Sequence, residues 1–118
     1  MPAMPTSIQE SIWGEAVINA AVAAFLTREE GGVLLVNDAV TELTGYSAEE
    51  IFANQVPSLH ADAETTAISE EVRTGRRTHG SARIRHKDGT VIPVLFYVAK
   101  TRVARDVLTF GLLWREAA

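Results

Sequence analysis

The sequence predicts an α+β domain: a five-stranded antiparallel sheet with short helices on one face and an amphipathic helix in front of it. Three observations carry this. The patterns run in the order helix, two strands, three short helices, three strands, and runs of strands split by a helical block make an antiparallel sheet with its helices gathered on one face. The string Lys87-Asp88-Gly89-Thr90 holds the Asp-Gly signal of a tight hairpin. The chain is 118 residues long, which is room for one domain around one core.

Residues 1–6 hold Pro2, Pro5 and Thr6 and read as a flexible start. Ser7-Ile8-Gln9-Glu10 is a capping box, in which the serine accepts from the N3 amide while the glutamate reaches back. Behind it Ile8, Ile12, Ala16 and Ala20 recur every fourth residue, flanked by Trp13 and Val17, so an amphipathic helix is expected over 7–20. Ala21 to Thr27 reads as a strand, Arg28 to Gly32 as a turn and Val33 to Val36 as a second strand. Asn37 is placed to cap a short helix that carries Ala39, Val40 and Leu43 and stops at Gly45.

Ser47-Ala48-Glu49-Glu50 is a second capping box and opens a helix with Ile51 and Phe52. Residues 54–62 are irregular, broken by Pro57. Glu64 to Thr74 is helical with one thin apolar line, Ile68 and Val72, and ends in Arg73 before Gly75. Thr78 to His86 alternates as a strand, with Gly80, Ala82 and Ile84 on one side. Val91 to Ala99 is a long strand, Thr101 to Asp106 a polar turn and Val107 to Trp114 the final strand.

The last two strands are apolar on both sides. Ile92, Val94, Phe96 and Val98 alternate with Val91, Leu95 and Tyr97; Leu108, Phe110, Leu112 and Trp114 alternate with Val107 and Leu113. An antiparallel strand with one wet face is polar on that side. Something must cover the second face here, and the N-terminal helix or a partner chain is the available cover.

Composition removes several classes of function. Eleven basic against fifteen acidic side chains leave a net charge of −4, which opposes binding to nucleic-acid backbones. With no cysteine there is no disulfide, thiolate nucleophile or cysteine-ligated metal. No apolar run approaches the roughly 20 residues of a membrane span, and no signal peptide is visible, so a cytoplasmic location is expected. There is no Gly-rich phosphate loop, nucleophile elbow or HExxH pair, so no enzyme is expected. His60, Asp62 and Glu64 form an H-x-D-x-E string, read as acids at a helix N-terminus rather than a metal site. Arg73, Arg76, Arg77, Arg83, Arg85 and Lys87 crowd one stretch and read as a solvated face.

The middle of the chain resembles a PAS domain. The strings that carry the likeness are Ala23-Ala24-Phe25-Leu26-Thr27, Gly31-Gly32-Val33-Leu34-Leu35-Val36-Asn37, and Leu43-Thr44-Gly45-Tyr46-Ser47-Ala48-Glu49-Glu50-Ile51. Arg85-His86-Lys87-Asp88-Gly89-Thr90 is similar to the family's hairpin before its penultimate strand, and Phe110-Gly111 to Arg115-Glu116 to its closing strand. The likeness covers about residues 15 to 116, with a PAS core over 21–116 and a truncated exit at 117–118. Arg28, Asp38 and Ala53 depart from the usual pattern, as does Glu116-Ala117-Ala118 in place of the family's exit string.

PAS domains sense ligands, carry haem or flavin, or dimerise, and the fold alone does not choose among these. The resemblance rules out photoactive flavin, whose cysteine would fall near Val56 in a chain that has none. Haem is not favoured, because the long helix Glu64 to Thr74 that would supply the ligand has no histidine and His60 precedes it. A redox FAD domain is an alternative, although His79 stands where such domains place an aromatic residue. The cofactor is therefore open.

What the resemblance implies is a sensory or regulatory domain that binds a small ligand in an internal cavity, forms a homodimer, or both. A downstream effector or partner protein is implied as well. Phe52, Leu59, Ile68, Val72, Ile84, Val94, Phe96 and Leu112 are the expected cavity residues, with Ala67, Ser69 and Ala82 small enough to leave space. Ile8, Ile12, Trp13, Val17, Leu95 and Tyr97 are the expected helix–sheet or dimer surface.

Overall fold

The computed structural model describes residues 12–53, 58–103 and 105–116. In chain order the elements are α1 (Ile12–Asn19), β1 (Ala23–Arg28), β2 (Val33–Val36), α2 (Asp38–Thr44), α3 (Ala48–Phe52), α4 (Ala63–Arg73), β3 (His79–Arg85), β4 (Val91–Val103) and β5 (Asp106–Arg115). The start at 1–6, the capping box Ser7 to Glu10 and the exit at 117–118 lie outside the described residues.

The five strands form one sheet in the order β2-β1-β5-β4-β3, and every neighbouring pair is antiparallel. The α+β architecture is as expected. The last strand runs up the middle, between β1 and β4. Ala23 pairs with Leu113 and Leu26 with Phe110 on one side, while Leu95 pairs with Trp114 and Tyr97 with Leu112 on the other.

The expected polar turn at 101–106 is mostly sheet. Lys100 pairs with Thr109, Thr101 with Leu108, Arg102 with Val107 and Val103 with Asp106, so the hairpin turns only at its tip. Propensity gave way to cross-strand pairing here: both strands continue, and each residue added to the ladder satisfies its backbone groups.

Side chains cap the helices. The Asn37 carboxamide oxygen accepts from Val40 N at 3.2 Å, Ser47 Oγ from Glu50 N at 3.1 Å and Asp62 Oδ1 from Thr65 N at 2.8 Å. At Ser47 the box is complete, since Ser47 N donates to Glu50 Oε1 at 2.9 Å. Asn37 does more than cap. Its oxygen also accepts from Ala24 N, and its amide nitrogen donates to Ala20 O and Val22 O. One buried side chain thereby ties the start of α2 to the link between α1 and β1.

The sheet separates two cores. On the outer face α1 lies against β1 and β2, and Val17 packs with Ala24, Leu26, Leu34, Leu35 and Leu108. On the inner face α2 and α3 bring Val40, Leu43 and Ile51 onto Ala23, Ile84, Ile92 and Val94. The helices thus divide between the faces, three inside and α1 outside. That division explains why β5 carries apolar residues on both sides, with Leu108, Phe110 and Leu112 in the outer cluster; the outer apolar residues of β4 lie beyond α1.

Candidate functional site

The inner face is not filled. Between the sheet and the helices lies a cleft of about 610 Å³. Phe25, Ala82, Ile84, Val94, Phe96, Val98 and Leu113 form its floor. Its roof comes from Val40 and Thr44 of α2, Ile51 of α3, residues Ser58, Leu59 and His60, and Thr65, Ile68, Ser69 and Val72 of α4. α4 carries one thin apolar line, so it shields the sheet without filling the space beneath it. Ser69 and Ala82, the small residues marked in the sequence, stand in the lining; Ala67 is exposed and contributes nothing to it.

Leu59, Ile68, Val72, Ile84, Val94 and Phe96 line this cleft. Phe52 and Leu112 do not. Phe52 is 38 % exposed at the end of α3, where its short helix turns it to solvent. Leu112 lies on the opposite face, in the cluster under α1, and its neighbour Leu113 takes the inner place. Gly111 reveals the parity. A Cβ at Gly111 would overlap the ring of Phe25, directly across the ladder, so this glycine is where the ring lies flat on the inner face. Odd-numbered residues of β5 therefore point inward.

Of the expected surface residues, Ile8 lies outside the described residues, and Ile12 and Trp13 open α1. Val17 is fully buried against the sheet. Leu95 is half-buried and Tyr97 is 43 % exposed on the outer face of β4, which α1 does not cover. Val91 and Trp114 are exposed beside them.

The polar atoms of the cleft come mostly from one side. Thr65 is buried, and its hydroxyl oxygen accepts from Arg83 N at 3.0 Å. Ser58 Oγ accepts from His60 N at 3.2 Å, and His60 Nδ1 lies 3.3 Å from Thr66 Oγ1. Thr44 is internally satisfied, donating to Val40 O and accepting from Tyr46 N. None of the three is an expected cavity residue, His60 being weighed in the sequence only against haem and metal: Thr65 lies off the apolar line of α4, and Ser58 and His60 belong to the segment before that helix, which looks like plain loop. It instead docks on the edge of β3, with Arg85 N on Leu59 O and Ala61 N on Arg83 O.

The acidic string is spent on structure. Asp62 caps α4 and pairs with Arg83, with Nε–Oδ2 at 2.7 Å. The Thr65 backbone amide first, then its hydroxyl and Arg83, hold the Asp62 carboxyl below the usual carboxylate range. No group of three metal-ligating side chains occurs among the described residues. Four of the six residues of the basic run are paired: Arg83 with Asp62, Arg73 with Glu70, Arg77 with Glu71 and Lys87 with Glu50.

The two most family-like strings meet in space. Lys87 N donates to Thr44 O at 2.9 Å, its ammonium reaches Glu50 at 2.9 Å, and it lies 5.6 Å from the centre of the Tyr46 ring. The ring of His86 packs on Gly45, whose φ of 79° suits glycine and where a Cβ would meet the imidazole. The Ser47 backbone amide, then Lys87, lower the Glu50 carboxyl below its ordinary range. This clasp fixes the β3–β4 hairpin to the α2–α3 corner and holds one end of the cleft.

A five-stranded sheet in this order, with helices over a hollow inner face, is the PAS architecture. The family model described as PAS domain matches residues 21–115, and the chain belongs to that family. Solved structures share the fold. A PAS domain from Desulfitobacterium hafniense is 21 % identical, with a TM-score of 0.69 over 86 % of this chain and 99 % of that one. A PAS domain from a two-component sensor histidine kinase is 19 % identical, with a TM-score of 0.70 over 95 % and 100 %. The Rhodobacter sphaeroides LOV protein is 15 % identical, with a TM-score of 0.71 over 96 % of this chain and 69 % of its own. No curated protein matches in sequence. No helix among the described residues is long and apolar enough to cross a membrane.

The family's flavin can be tested against this lining. Among the described lining residues there is no side-chain amide to face a flavin ring edge and no arginine or lysine to meet its phosphate. The chain has no cysteine for a flavin adduct. Among the described residues the donor set does not fit a flavin nucleotide.

Proposed function

We propose that this PAS domain is a sensory module that binds a small molecule in the cleft beneath α4 and passes the change to the sheet. The observation that carries the reading is the space itself. A domain of this size closes its core where nothing is to be bound, and cavities of this volume with mainly apolar walls and a few convergent polar groups suit small molecules. A ligand there would touch α4 on one side and β3 and β4 on the other, so its binding would bias how α4 and the sheet pack.

Native mass spectrometry and an absorbance scan of freshly purified protein test this. The expected result is a small molecule that co-purifies, leaves on denaturation and is missing from Val94→Trp, in which an indole fills the cleft. A folded wild-type protein that carries no such mass, and whose melting no metabolite library raises, would count against the reading.

A second reading is supported by the outer face. Val91, Leu95, Tyr97 and Trp114 form an apolar area beside α1, and a second copy would cover it with the same residues in a two-fold arrangement. Light scattering on Tyr97→Asp with Trp114→Asp separates the two: a fall in mass with ligand retained assigns dimerisation to this face and sensing to the other.

A further inference from the structure

We infer that the cleft selects an uncharged, mainly apolar molecule with one or two hydrogen-bonding groups, and that it rejects anions. The inference rests on the reading of the cleft as a ligand site and goes further by naming what enters it. Its lining contains no Asp, Glu, Lys or Arg among the described residues.

The cation beside the cleft is paired on one side. Arg77 stands beside the rim, next to Gly80 and Phe96, where its Nη2 is held by both oxygens of Glu71 at 3.1 and 3.2 Å while its Nε is buried without a hydrogen-bond partner. It is also absent from the lining. A carboxylate or phosphate in the cleft would lose its water without gaining a counter-ion, and that desolvation weighs heavily against it. A hydroxyl or carbonyl fares differently. Ser58, His60, Thr65 and Ser69 stand on the α4 side, where the Ser58 hydroxyl accepts a backbone amide and keeps a proton to donate, while the Thr65 hydroxyl is spent on Arg83 N and the Asp62 carboxylate. The opposite wall is apolar at Val94, Phe96 and Ile84, with Thr27 of β1 at its edge. A ligand is thus oriented with its polar edge toward α4 and its apolar body on the sheet.

A matched pair of fluorophores tests the charge preference directly. N-phenyl-1-naphthylamine is neutral, and 8-anilino-1-naphthalenesulfonate has the same rings with a sulfonate added. Titration of each into the full chain is expected to show the neutral probe bound one to one and at least about tenfold more tightly than the anion, since even a modest unpaired-charge penalty costs that much affinity. Val94→Trp is expected to abolish the neutral probe's signal, which places it in the cleft and not on the exposed outer face. Ser69→Lys introduces a cation on a helix that tolerates lysine and is expected to bring the two affinities together or invert them. His60→Gln, which removes the one titratable side chain of the described lining, is expected to leave the preference in place.

Equal or tighter binding of the sulfonate by wild type would overturn the charge inference and leave the ligand site standing. So would a preference that Ser69→Lys fails to move or that His60→Gln erases. Neutral-probe binding that survives Val94→Trp would overturn it by placing the probe elsewhere. Failure of the folded protein to bind either probe would overturn the ligand-site reading itself.

Discussion

The two faces of the sheet are built from the same kinds of residue and end up with opposite characters. Under α1 the packing is closed: Val17, Ala24, Leu26 and Leu108 are fully buried within one cluster. Under α2, α3 and α4 the apolar residues stop short of one another, and Ile68 and Val72 remain half-buried above a cleft. The difference lies in the helices. α1 presses a buried valine directly onto the strands, whereas α4 stands off on caps and ion pairs, with Asp62 on Arg83 and Arg77 on Glu71. One face therefore carries stability and the other keeps room.

Substitutions can break that contrast. Leu26→Ala removes a fully buried side chain from the closed face and is expected to cost about 2–5 kcal/mol in denaturant unfolding. A cost equal to that of a cleft residue would erase the distinction. Asn37→Ala comes next, at about 2–3 kcal/mol, because it strips the α2 cap and leaves the Ala24 amide and the Ala20 and Val22 carbonyls short of partners. Ile68→Ala, at the edge of an existing space, is expected to cost about 1 kcal/mol or less, since it opens no new void in a closed core. It should nevertheless weaken any cleft ligand.

The smallest effect is that of acid. Glu50 and Asp62 have carboxyls lowered in the folded state, so their contribution is complete above the ordinary carboxylate pKa and is lost as pH falls through the lowered folded values. Melting temperature is expected to stay level from neutral pH to about 4 and to fall below it. Glu50→Gln with Asp62→Asn should flatten that fall.

Much of this was legible in local signals. Asn37, Gly45 and Ser47 announced their caps and stops because capping is decided within four residues. The double-sided apolarity of β5 announced the cover on its outer face, whereas that of β4 marked a face that α1 leaves exposed. The cleft was legible in part, since Ile84, Val94 and Phe96 follow from alternation in strands whose inner face was correctly read. Leu112 went to the wrong side because parity in β5 depends on how it pairs with β1, a contact between opposite ends of the domain. Gly111 held the clue: a glycine inside an apolar strand marks the place where something large crosses it. Thr101 to Val103 looked like a turn because polar residues dominate there, and only the partner strand makes them sheet. The segment at Ser58 and His60 had no periodicity to read; its position comes from hydrogen bonds to the edge of β3.

The place of β5 between β1 and β4 has a consequence for how the protein is made. β1 and β2 can pair as soon as they leave the ribosome, and β3 and β4 can do the same later, but the two hairpins have no ladder between them until the last strand arrives. The sheet becomes continuous only when residues 106–115 have been synthesised, and its β1–β5 ladder then joins segments almost the whole domain apart. Nascent chains arrested before that point are expected to expose both hairpins to proteases, and emergence of residues 106–115 is expected to convert them together, in one step, to resistance.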